Sequence, residues 1–392
     1  MDTLTVKTEV DELLDMRSPA GVLQPIVKWA GGKEKELKYI VPNIPRRINN
    51  YYEPFVGGGS VYVSIAANNY FINDKSTELI SLYECIASKN QDFFNYAKQI
   101  DASWSNADKF FYENPSLRDM YYAYRRDDID GSKLKTKIVE FSKTAEQEIQ
   151  SILCGDIKTC VEVLIQEMRT NLFRKMTRMK ELEQIKHALP ENDIADNIKT
   201  AIKSALYMYY RYLYNKCKSS EENKALRTAL FLFIRNYCYS GMFRYNDKGE
   251  FNVPYGGIAY NAKQMSKKLR YYQSAALSNL LKKTSIENTD FESALQKWLP
   301  SEEDFVFLDP PYDSEFSTYA QNEFTRADHE RLARYMTSEC KAKWMLIIKN
   351  TDFIFNLYNK PGIRIRTFDK EYLVSFMNRN DRHAVHLLIT NY

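Results

Sequence analysis

FVFLDPPY, residues 305–312, is the stretch that decides how this chain folds. Its four apolar residues predict a short buried strand, and the two prolines end that strand because each removes a backbone donor and prevents further ladder pairing. A carboxylate, a rigid turn and an aromatic ring remain at the strand end. In an open α/β sheet, ligands bind beyond the carboxyl ends of the strands, which favours a site here. On the tetrapeptide Asp309–Tyr312 alone, a surface turn has about equal weight.

Composition places the chain among globular proteins. Its 392 residues, 44% of them hydrophobic, allow two or three domains with their own cores. There is no apolar run of membrane-spanning length, and residues 1–16 lack the apolar stretch of a signal peptide, so we expect an intracellular, cytoplasmic protein. The six cysteines lack CxxC spacing and the four histidines lack a metal-protease spacing. We therefore expect free thiols and no metal.

Charge and aromatic patterns leave nucleic-acid binding open. The net charge of +4 neither requires nor excludes it, but residues 169–180 and 262–283 each carry a cluster of basic residues without an acid. Such clusters can follow a phosphate backbone, although a solvated helix face is the commoner explanation by roughly two to one. Five tyrosines between 207 and 214 surround Arg211. They indicate either a base-stacking surface or a half-buried helix, with about equal weight.

The N-terminal part has the pattern of a nucleotide-binding sheet. After a polar extension at 1–24, KWAGGK (28–33) carries a glycine pair but lacks the spacing and the hydroxyl of a P-loop, and residues 34–40 predict a helix. A predicted strand then leads into EPFVGGGS (53–60) and a predicted helix at 61–67. Residues 70–74 predict a second strand that ends in Asp74. This carboxylate suits either a ribose hydroxyl or the N-cap of the helix at 77–87, for which Ser76 is equally suited.

The remaining chain predicts a helical insertion followed by the rest of the sheet. Residues 88–260 have helical patterns with breaks near Gly131, Gly155 and Pro190, and the turn at 246–249 predicts a hairpin that presents Arg244 and its aromatic neighbours. Thr325 to Asp328 has the pattern of a helix N-cap box. Further strands are predicted at 285–290, 305–308, 344–348, 363–368, 372–377 and 384–390.

Four segments together resemble the Dam-type (alpha-class) family of DNA N6-adenine methyltransferases. They are KWAGGK (28–33), EPFVGGGSVY (53–62), RYNDKGEFNVPYG (244–256) and DPPY (309–312), in the order of that class. The resemblance implies an α/β, Rossmann-like fold with a seven-stranded, mainly parallel sheet that binds S-adenosylmethionine. It also implies a catalytic domain at 25–95 and 284–392, with an inserted helical target-recognition domain at 96–283.

The resemblance assigns roles to individual residues. Catalysis falls to Asp309, Pro310, Pro311 and Tyr312. The residues implied around S-adenosylmethionine are Trp29, Ala30, Gly31, Lys33, Glu53, Pro54, Phe55, Gly57, Gly58, Gly59, Ser60, Asp74, Asp290, Phe291 and Asp309. The residues implied to contact DNA are Lys28, Tyr239, Ser240, Met242, Arg244 and Asn246.

The sequence departs from the family pattern in two places. Ser240 and Met242 stand where Asn and Leu are usual, so the recognised sequence can differ from the family's familiar GATC. Residues 100–230 are much longer than in small members and match no motif, which leaves a DNA clamp, a partner-binding domain or elaboration as alternatives.

The chemistry follows from the residues at the catalytic motif. An exocyclic adenine amine is a poor nucleophile because its lone pair is delocalised, and hydrogen bonds to the Asp309 carboxylate and the Pro310 carbonyl would localise that pair. Tyr312 would stack on a flipped-out base. We expect double-stranded DNA as substrate, a cognate restriction endonuclease as a further candidate partner, and a monomer or weak dimer. The alternatives are RNA methylation and a nucleic-acid-binding protein without catalysis; a combined endonuclease has less support.

Overall fold

The chain forms two compact units. The computed structural model describes residues 23–185, 187–217, 220–312, 324–371 and 383–392. Unit 1 comprises residues 1–87 and 272–392, and unit 2 comprises residues 88–271. The sequence analysis put the corresponding boundaries at 95/96 and 283/284, and the functional roles assigned to the two parts stay predictions.

Unit 1 contains the expected seven-stranded, mainly parallel sheet. The strand order is β3-β2-β1-β4-β5-β7-β6. Strands β1 to β5 pair in parallel, whereas β7 lies antiparallel between β5 and β6. The strands are β1 Asn50–Glu53, β2 Asn69–Asn73, β3 Thr284–Glu287, β4 Phe305–Leu308, β5 Lys343–Lys349, β6 Arg364–Glu371 and β7 His383–Thr390.

Continuous apolar runs explain the central strands. All four residues of β4 are buried, as are residues 344–348 of β5, which is the pattern of a parallel sheet covered on both faces. The predicted strands at 305–308, 344–348 and 384–390 are confirmed, and those at 285–290 and 363–368 are confirmed with shifted ends. The predicted strand at 372–377 lies outside the described residues.

The helix predicted at 61–67 is wrong. Only a 3₁₀ turn forms, at Tyr62–Ser64, and Ile65 is already extended. Val61, Val63 and Ile65 are all buried. An amphipathic helix buries only one of its faces, so it would not bury all three of these side chains. The helix predicted at 34–40 is a single turn, Leu37–Ile40, continued by a 3₁₀ turn that contains Pro42.

The other helices of unit 1 cover the sheet and its loops. The helix after residue 324 starts with the predicted capping box, in which Thr325 and Asp328 bind each other's backbone N–H. These helices are Thr77–Ala87, Ala275–Leu281, Phe291–Trp298, Arg326–Arg334 and Asp352–Tyr358, and helix Ser266–Tyr272 spans the boundary between the units.

Unit 2 is helical, as expected, and its breaks fall where the sequence put them. Gly131 begins a helix, Gly155 begins a 3₁₀ turn and Pro190 precedes a long helix. The helices are Gln91–Glu113, Ser116–Arg125, Gly131–Thr144, Glu146–Ile152, Val161–Ile185, Glu191–Lys216 and Lys224–Tyr237. None of the helices in the described ranges combines the length and apolar character needed to cross a membrane.

The tyrosine-rich helix of unit 2 is a core element. Tyr207, Tyr209 and Tyr210 are fully buried, and Tyr210 packs edge-on against Phe233. The hydroxyl of Tyr207 donates to the backbone oxygen of Val253 at 2.9 Å. Of the two alternatives, the half-buried helix is therefore the one that the structure supports.

The basic cluster at 169–180 is largely engaged within unit 2. Arg169 donates to Ser142 at 2.6 Å and Arg174 donates to Asn171 at 2.8 Å. Arg178 binds Glu181 at 3.0 Å, and Lys180 binds the carboxylate of Asp127. These partners favour a structural explanation of this cluster over contact with a phosphate backbone.

We expect Leu308→Ala to lower the free energy of unfolding by about 2–5 kcal/mol, because it opens a cavity in the centre of the parallel sheet. The Leu308 side chain is fully buried. Leu299→Ala is the matched control: Leu299 is 75% exposed, and the change there is expected to stay within about 0.5 kcal/mol. Urea unfolding of both variants measures the difference; equal midpoints would contradict the assigned core.

Candidate active site

A carboxylate lies at or just after the carboxyl end of each of four parallel strands, at one edge of the sheet. Glu53 is the last residue of β1, Asp74 follows β2, Asp290 lies three residues beyond β3, and Asp309 follows β4. Because these strands run in the same direction, their carboxyl ends share one edge. The sheet therefore brings together four acidic residues that the sequence analysis took from separate motifs.

The KWAGGK segment lies directly against the glycine-rich turn. The N–H of Ile26 donates to the oxygen of Gly58 at 2.9 Å, and the N–H of Lys33 donates to the Ser60 hydroxyl at 3.0 Å. A Cβ at Gly58 would lie 2.3 Å from the oxygen of Val27. Only glycine permits this backbone approach, which explains the pairing of the two motifs.

Lys33 and Asp309 form an ion pair in which the lysine is buried and the aspartate is partly buried. The Lys33 side chain is 2% exposed, and its ammonium group donates to the Asp309 carboxylate and, at 2.8 Å, to the oxygen of Gly31. The same nitrogen lies 5.4 Å from the centroid of the Tyr312 ring. The pair thus joins two motifs 276 residues apart and fixes the carboxylate that the sequence analysis assigned to catalysis.

Glu53 is the second acid of this buried cluster. It is 2% exposed and accepts a hydrogen bond from the Tyr51 hydroxyl at 2.6 Å. Burial raises the pKa of Glu53 well above its usual range, against the opposing effect of the Tyr51 hydrogen bond; the Asp309 charge adds to the rise and Lys33 counters it. A raised pKa favours the protonated form of Glu53, so this carboxyl competes less for Lys33 than a charged one would.

Asp74 holds the glycine-rich turn. Its Oδ2 accepts from the N–H of Gly57 at 3.0 Å and its Oδ1 accepts from the N–H of Ser76 at 2.9 Å. Burial raises the pKa of Asp74 to about 6, although the backbone hydrogen bonds act to lower it. The next helix takes its cap from Ser76, whose hydroxyl accepts from the N–H of Leu79 at 3.3 Å.

Asn73 is a residue of this site that the sequence patterns did not predict. This buried residue donates from Nδ2 to the oxygens of Pro54 at 3.0 Å and Thr289 at 3.1 Å, and its Oδ1 accepts from the N–H of Thr289 at 2.9 Å. One amide therefore connects the loops after β1 and β3 to the end of β2. The available signal was an amide at the end of an apolar strand, next to an acid.

An aromatic cluster lies beside Asp290, which caps helix Phe291–Trp298 by accepting from the N–H of Glu292 at 3.0 Å. The ring of Phe291 lies 5.5 Å from Phe55 and 5.6 Å from Phe324, measured between centroids. The other predicted cofactor residues also lie in unit 1: Ala30 and Gly31 are exposed, Trp29 is half-buried, and Pro54, Gly59 and Ser60 are buried.

The residues assigned to DNA divide between the units. Lys28 is exposed in unit 1, and the others lie in unit 2: Tyr239, Ser240 and Arg244 are exposed, and Met242 and Asn246 are half-buried. Ser240 has a φ of 53°, a left-handed conformation in which Asn, the usual residue in this motif, is more favourable.

The predicted hairpin forms, but it presents fewer aromatic side chains than expected. Tyr245 pairs with Phe251, and the N–H of Gly249 donates to the oxygen of Asn246 at 2.8 Å. Arg244 is exposed and donates from Nε to Asn252 at 3.0 Å. Phe243 and Phe251 are buried, because they form the small core beneath the turn, so the expectation that they would be presented is wrong.

Asn246 has a role within the turn. Its Oδ1 accepts from the N–H groups of Lys248 at 3.0 Å and Glu250 at 2.9 Å, and its Nδ2 donates to the Glu250 carboxylate at 3.1 Å. These bonds fix the hairpin geometry, and contact with DNA stays a prediction for this residue.

The known proteins that this chain is similar to are DNA methyltransferases. A model of the family described as D12 class N6 adenine-specific DNA methyltransferase matches residues 29–375. The chain is 26% identical over 377 residues to the type II methyltransferase M.CviBI of Paramecium bursaria Chlorella virus NC1A, covering 94% of this chain and 100% of that protein. It is 25% identical to the type II methyltransferase M.MjaIII of Methanocaldococcus jannaschii, covering 94% and 99%. Identity to the DNA adenine methylase of Haemophilus influenzae is 24%, covering 86% and 83%.

The pKa of Asp74 gives a test by pH. The folded value is about 6 and the ordinary value is 3.8, so the folded state binds this proton more tightly. Relative to an Asp74→Asn variant, the wild type should therefore lose stability as the pH rises from about 4 to about 6, and the difference should be constant above that range. Urea unfolding at several pH values measures the difference in the free energy of unfolding between wild type and Asp74→Asn. If that difference stays constant between pH 4 and 6, the raised pKa is contradicted.

Proposed function

Because this chain belongs to the family of D12 class N6 adenine-specific DNA methyltransferases, we propose that it transfers a methyl group from S-adenosylmethionine to a flipped-out adenine at a specific site in duplex DNA. The observation that carries the proposal is the ion pair between buried Lys33 and partly buried Asp309, beside Tyr312 at the carboxyl end of β4. It places a fixed hydrogen-bond acceptor next to an aromatic ring, which suits the amine and the face of one base.

The residues at the sheet edge suit S-adenosylmethionine. The molecule carries an ammonium group, a sulfonium, ribose hydroxyls and a flat base, and the edge offers acceptors at Glu53, Asp74 and Asp290 with aromatic rings at Phe55 and Phe291. When bound, it supplies a methyl group that is already activated as part of a sulfonium. The role of the protein is then to bind both substrates and to orient the amine.

Asp309 and Pro310 act on the amine. Each offers an oxygen that would accept a hydrogen bond from one amino N–H, so the nitrogen lone pair is held out of conjugation and directed in line with the methyl group. As the N–C bond forms and the sulfonium S–C bond breaks, S-adenosylhomocysteine would leave, and the surplus proton of the amine would pass to the Asp309 carboxylate or to water. The amine becomes more nucleophilic only in this arrangement, which makes the orientation of the carboxylate decisive.

Lys33 supplies that orientation. The Lys33 ammonium group is buried and is itself held by the oxygen of Gly31, so its bond to the partly buried Asp309 carboxylate keeps that carboxylate in place. The raised pKa of Glu53 supports this assignment, because it disfavours a second charged partner for Lys33.

Tyr312 and the exposed residues of the hairpin engage DNA. The Tyr312 ring stacks on the extruded adenine and offsets part of the cost of unstacking it. The exposed Arg244 reads a guanine edge, and Lys28 contacts a guanine edge or a phosphate. Because two relatives carry the name type II methyltransferase, we include a cognate restriction endonuclease as a partner. We also propose an intracellular enzyme that acts as a monomer or weak dimer.

Two alternatives have their own tests. Methylation of RNA instead of DNA is decided by competition between the two nucleic acids for labelled methyl groups. A nucleic-acid-binding protein without catalysis is supported if calorimetry detects no binding of S-adenosylmethionine. The acidic sheet edge and the intact DPPY motif favour the enzyme.

We expect Asp309→Ala to reduce methyl transfer by roughly 10²- to 10³-fold, the usual effect of removing one group aimed at charge that develops in the reaction. Transfer of tritiated methyl groups from S-adenosylmethionine to DNA measures it. Asp369→Asn is the matched control, since Asp369 is an exposed carboxylate on β6 and its loss should leave the rate unchanged. An Asp309→Ala variant that labels DNA as well as wild type would refute the assignment.

We expect Arg244→Lys to relax specificity at one guanine, because lysine cannot form the two parallel bonds of a guanidinium group; the loss corresponds to roughly 1–3 kcal/mol of discrimination. Sequencing of methylated bases in DNA from cells that express each variant gives the preference at every position. Lys248→Gln, at the exposed tip of the same hairpin, serves as control. Unchanged discrimination at all positions of the site would remove Arg244 from base readout.

A further inference from the structure

Arg331 is the centre of an ionic cluster that the sequence analysis did not assign. It lies on helix Arg326–Arg334. Its guanidinium group binds both carboxylate oxygens of Asp290, at 3.1 and 3.0 Å, and also Glu292 at 2.6 Å and Asp328 at 2.8 Å. The parallel pair of bonds to Asp290 is the geometry that only arginine provides.

These bonds fix the Asp290 carboxylate in one orientation. Oδ1 accepts from Arg331 and from the N–H of Glu292 at 3.0 Å, and Oδ2 accepts from Arg331. Burial acts to raise the pKa of Asp290, but the hydrogen bonds from Arg331 and Glu292 outweigh it and the pKa is lowered. Since a carboxylate has about four acceptor positions, Oδ2 retains one for a further donor.

Arg331 also holds the neighbouring aromatic ring. Its guanidinium carbon lies 4.7 Å from the centroid of Phe291. Phe291 in turn packs with Phe55 and Phe324, so the guanidinium group supports one side of the aromatic cluster. Phe291 is itself buried, so this contact holds the Arg331 side chain in place while its paired bonds orient Asp290.

We propose that Arg331 is a positioning residue of the cofactor site. This proposal rests on the proposed function: Arg331 orients the Asp290 carboxylate toward the amino group of the cofactor's adenine. Arg331 acts through this carboxylate, and its removal weakens recognition of the adenine amino group without changing the groups that act on the DNA.

The test uses calorimetry of the full-length chain with S-adenosylhomocysteine and with its inosine analogue, in which a carbonyl oxygen replaces the amino group. We expect Arg331→Gln to raise the Kd for S-adenosylhomocysteine about tenfold, equivalent to about 1.4 kcal/mol. The Kd for the inosine analogue should change little. The Kd for the inosine analogue divided by the Kd for S-adenosylhomocysteine should therefore fall about tenfold. Arg331→Lys keeps the charge but loses the paired bonds, and should fall between Arg331→Gln and wild type.

Arg334→Gln is the matched control. Arg334 lies on the same helix, is 61% exposed and binds Glu292 at 3.2 Å, but it makes no bond to Asp290 among the described residues. The control variant should keep the wild-type Kd for both ligands. In an Asp290→Ala background, Arg331→Gln should cause no further loss, since the carboxylate that it orients is gone.

Distinct results separate the inference from the proposed function. Wild-type Kd values for both ligands in a folded Arg331→Gln variant would overturn the inference. So would an equal loss for both ligands that adds to the loss from Asp290→Ala, because this indicates structural anchoring alone. If Arg331→Gln does not fold in a thermal unfolding assay, the ratio measured with Arg331→Lys decides instead. No binding of S-adenosylhomocysteine by wild type would overturn the proposed cofactor itself.

Discussion

A buried charge sets the requirements for the rest of unit 1. The ammonium group of Lys33 lies in the interior, and desolvation makes such a charge costly unless an opposite charge and further hydrogen bonds accompany it. Asp309 and the oxygen of Gly31 meet that need. The segment before β1 and the end of β4 must therefore stay together, and everything between them in the sequence has to fold so that this contact is kept.

The parallel sheet makes this contact possible. Because β1 to β4 run in one direction, each loop that follows a strand opens at the same edge, and the side chains of Asn73 and Asp74 tie these loops to one another. Backbone groups at Pro54, Gly57 and Thr289 are the partners. The acidic edge of the sheet is thus a product of hydrogen bonds between loops, in addition to strand order.

Sequence patterns worked where one short segment sets its own conformation. The apolar β4, the capping box at Thr325 and the turn at 246–249 were predicted correctly because local propensity and burial agree there. The sequence patterns gave a wrong prediction at 61–67, where consecutive bulky residues are all buried. They were also wrong at Phe243 and Phe251, which the hairpin buries beneath its turn. In both places tertiary packing outweighed the local pattern.

The sequence by itself determined the family, through four short segments in a fixed order, and with it the sheet and the adenine-specific chemistry. Those segments are recognisable because each combines uncommon residue types at a fixed spacing. Only the tertiary structure decided which side chains keep these segments in place. They are Lys33, which pairs with Asp309, Asn73, whose amide connects two loops, and Arg331, whose guanidinium group forms two bonds to Asp290. These partners lie far apart in sequence, and one arginine or asparagine among many has no local pattern that marks it.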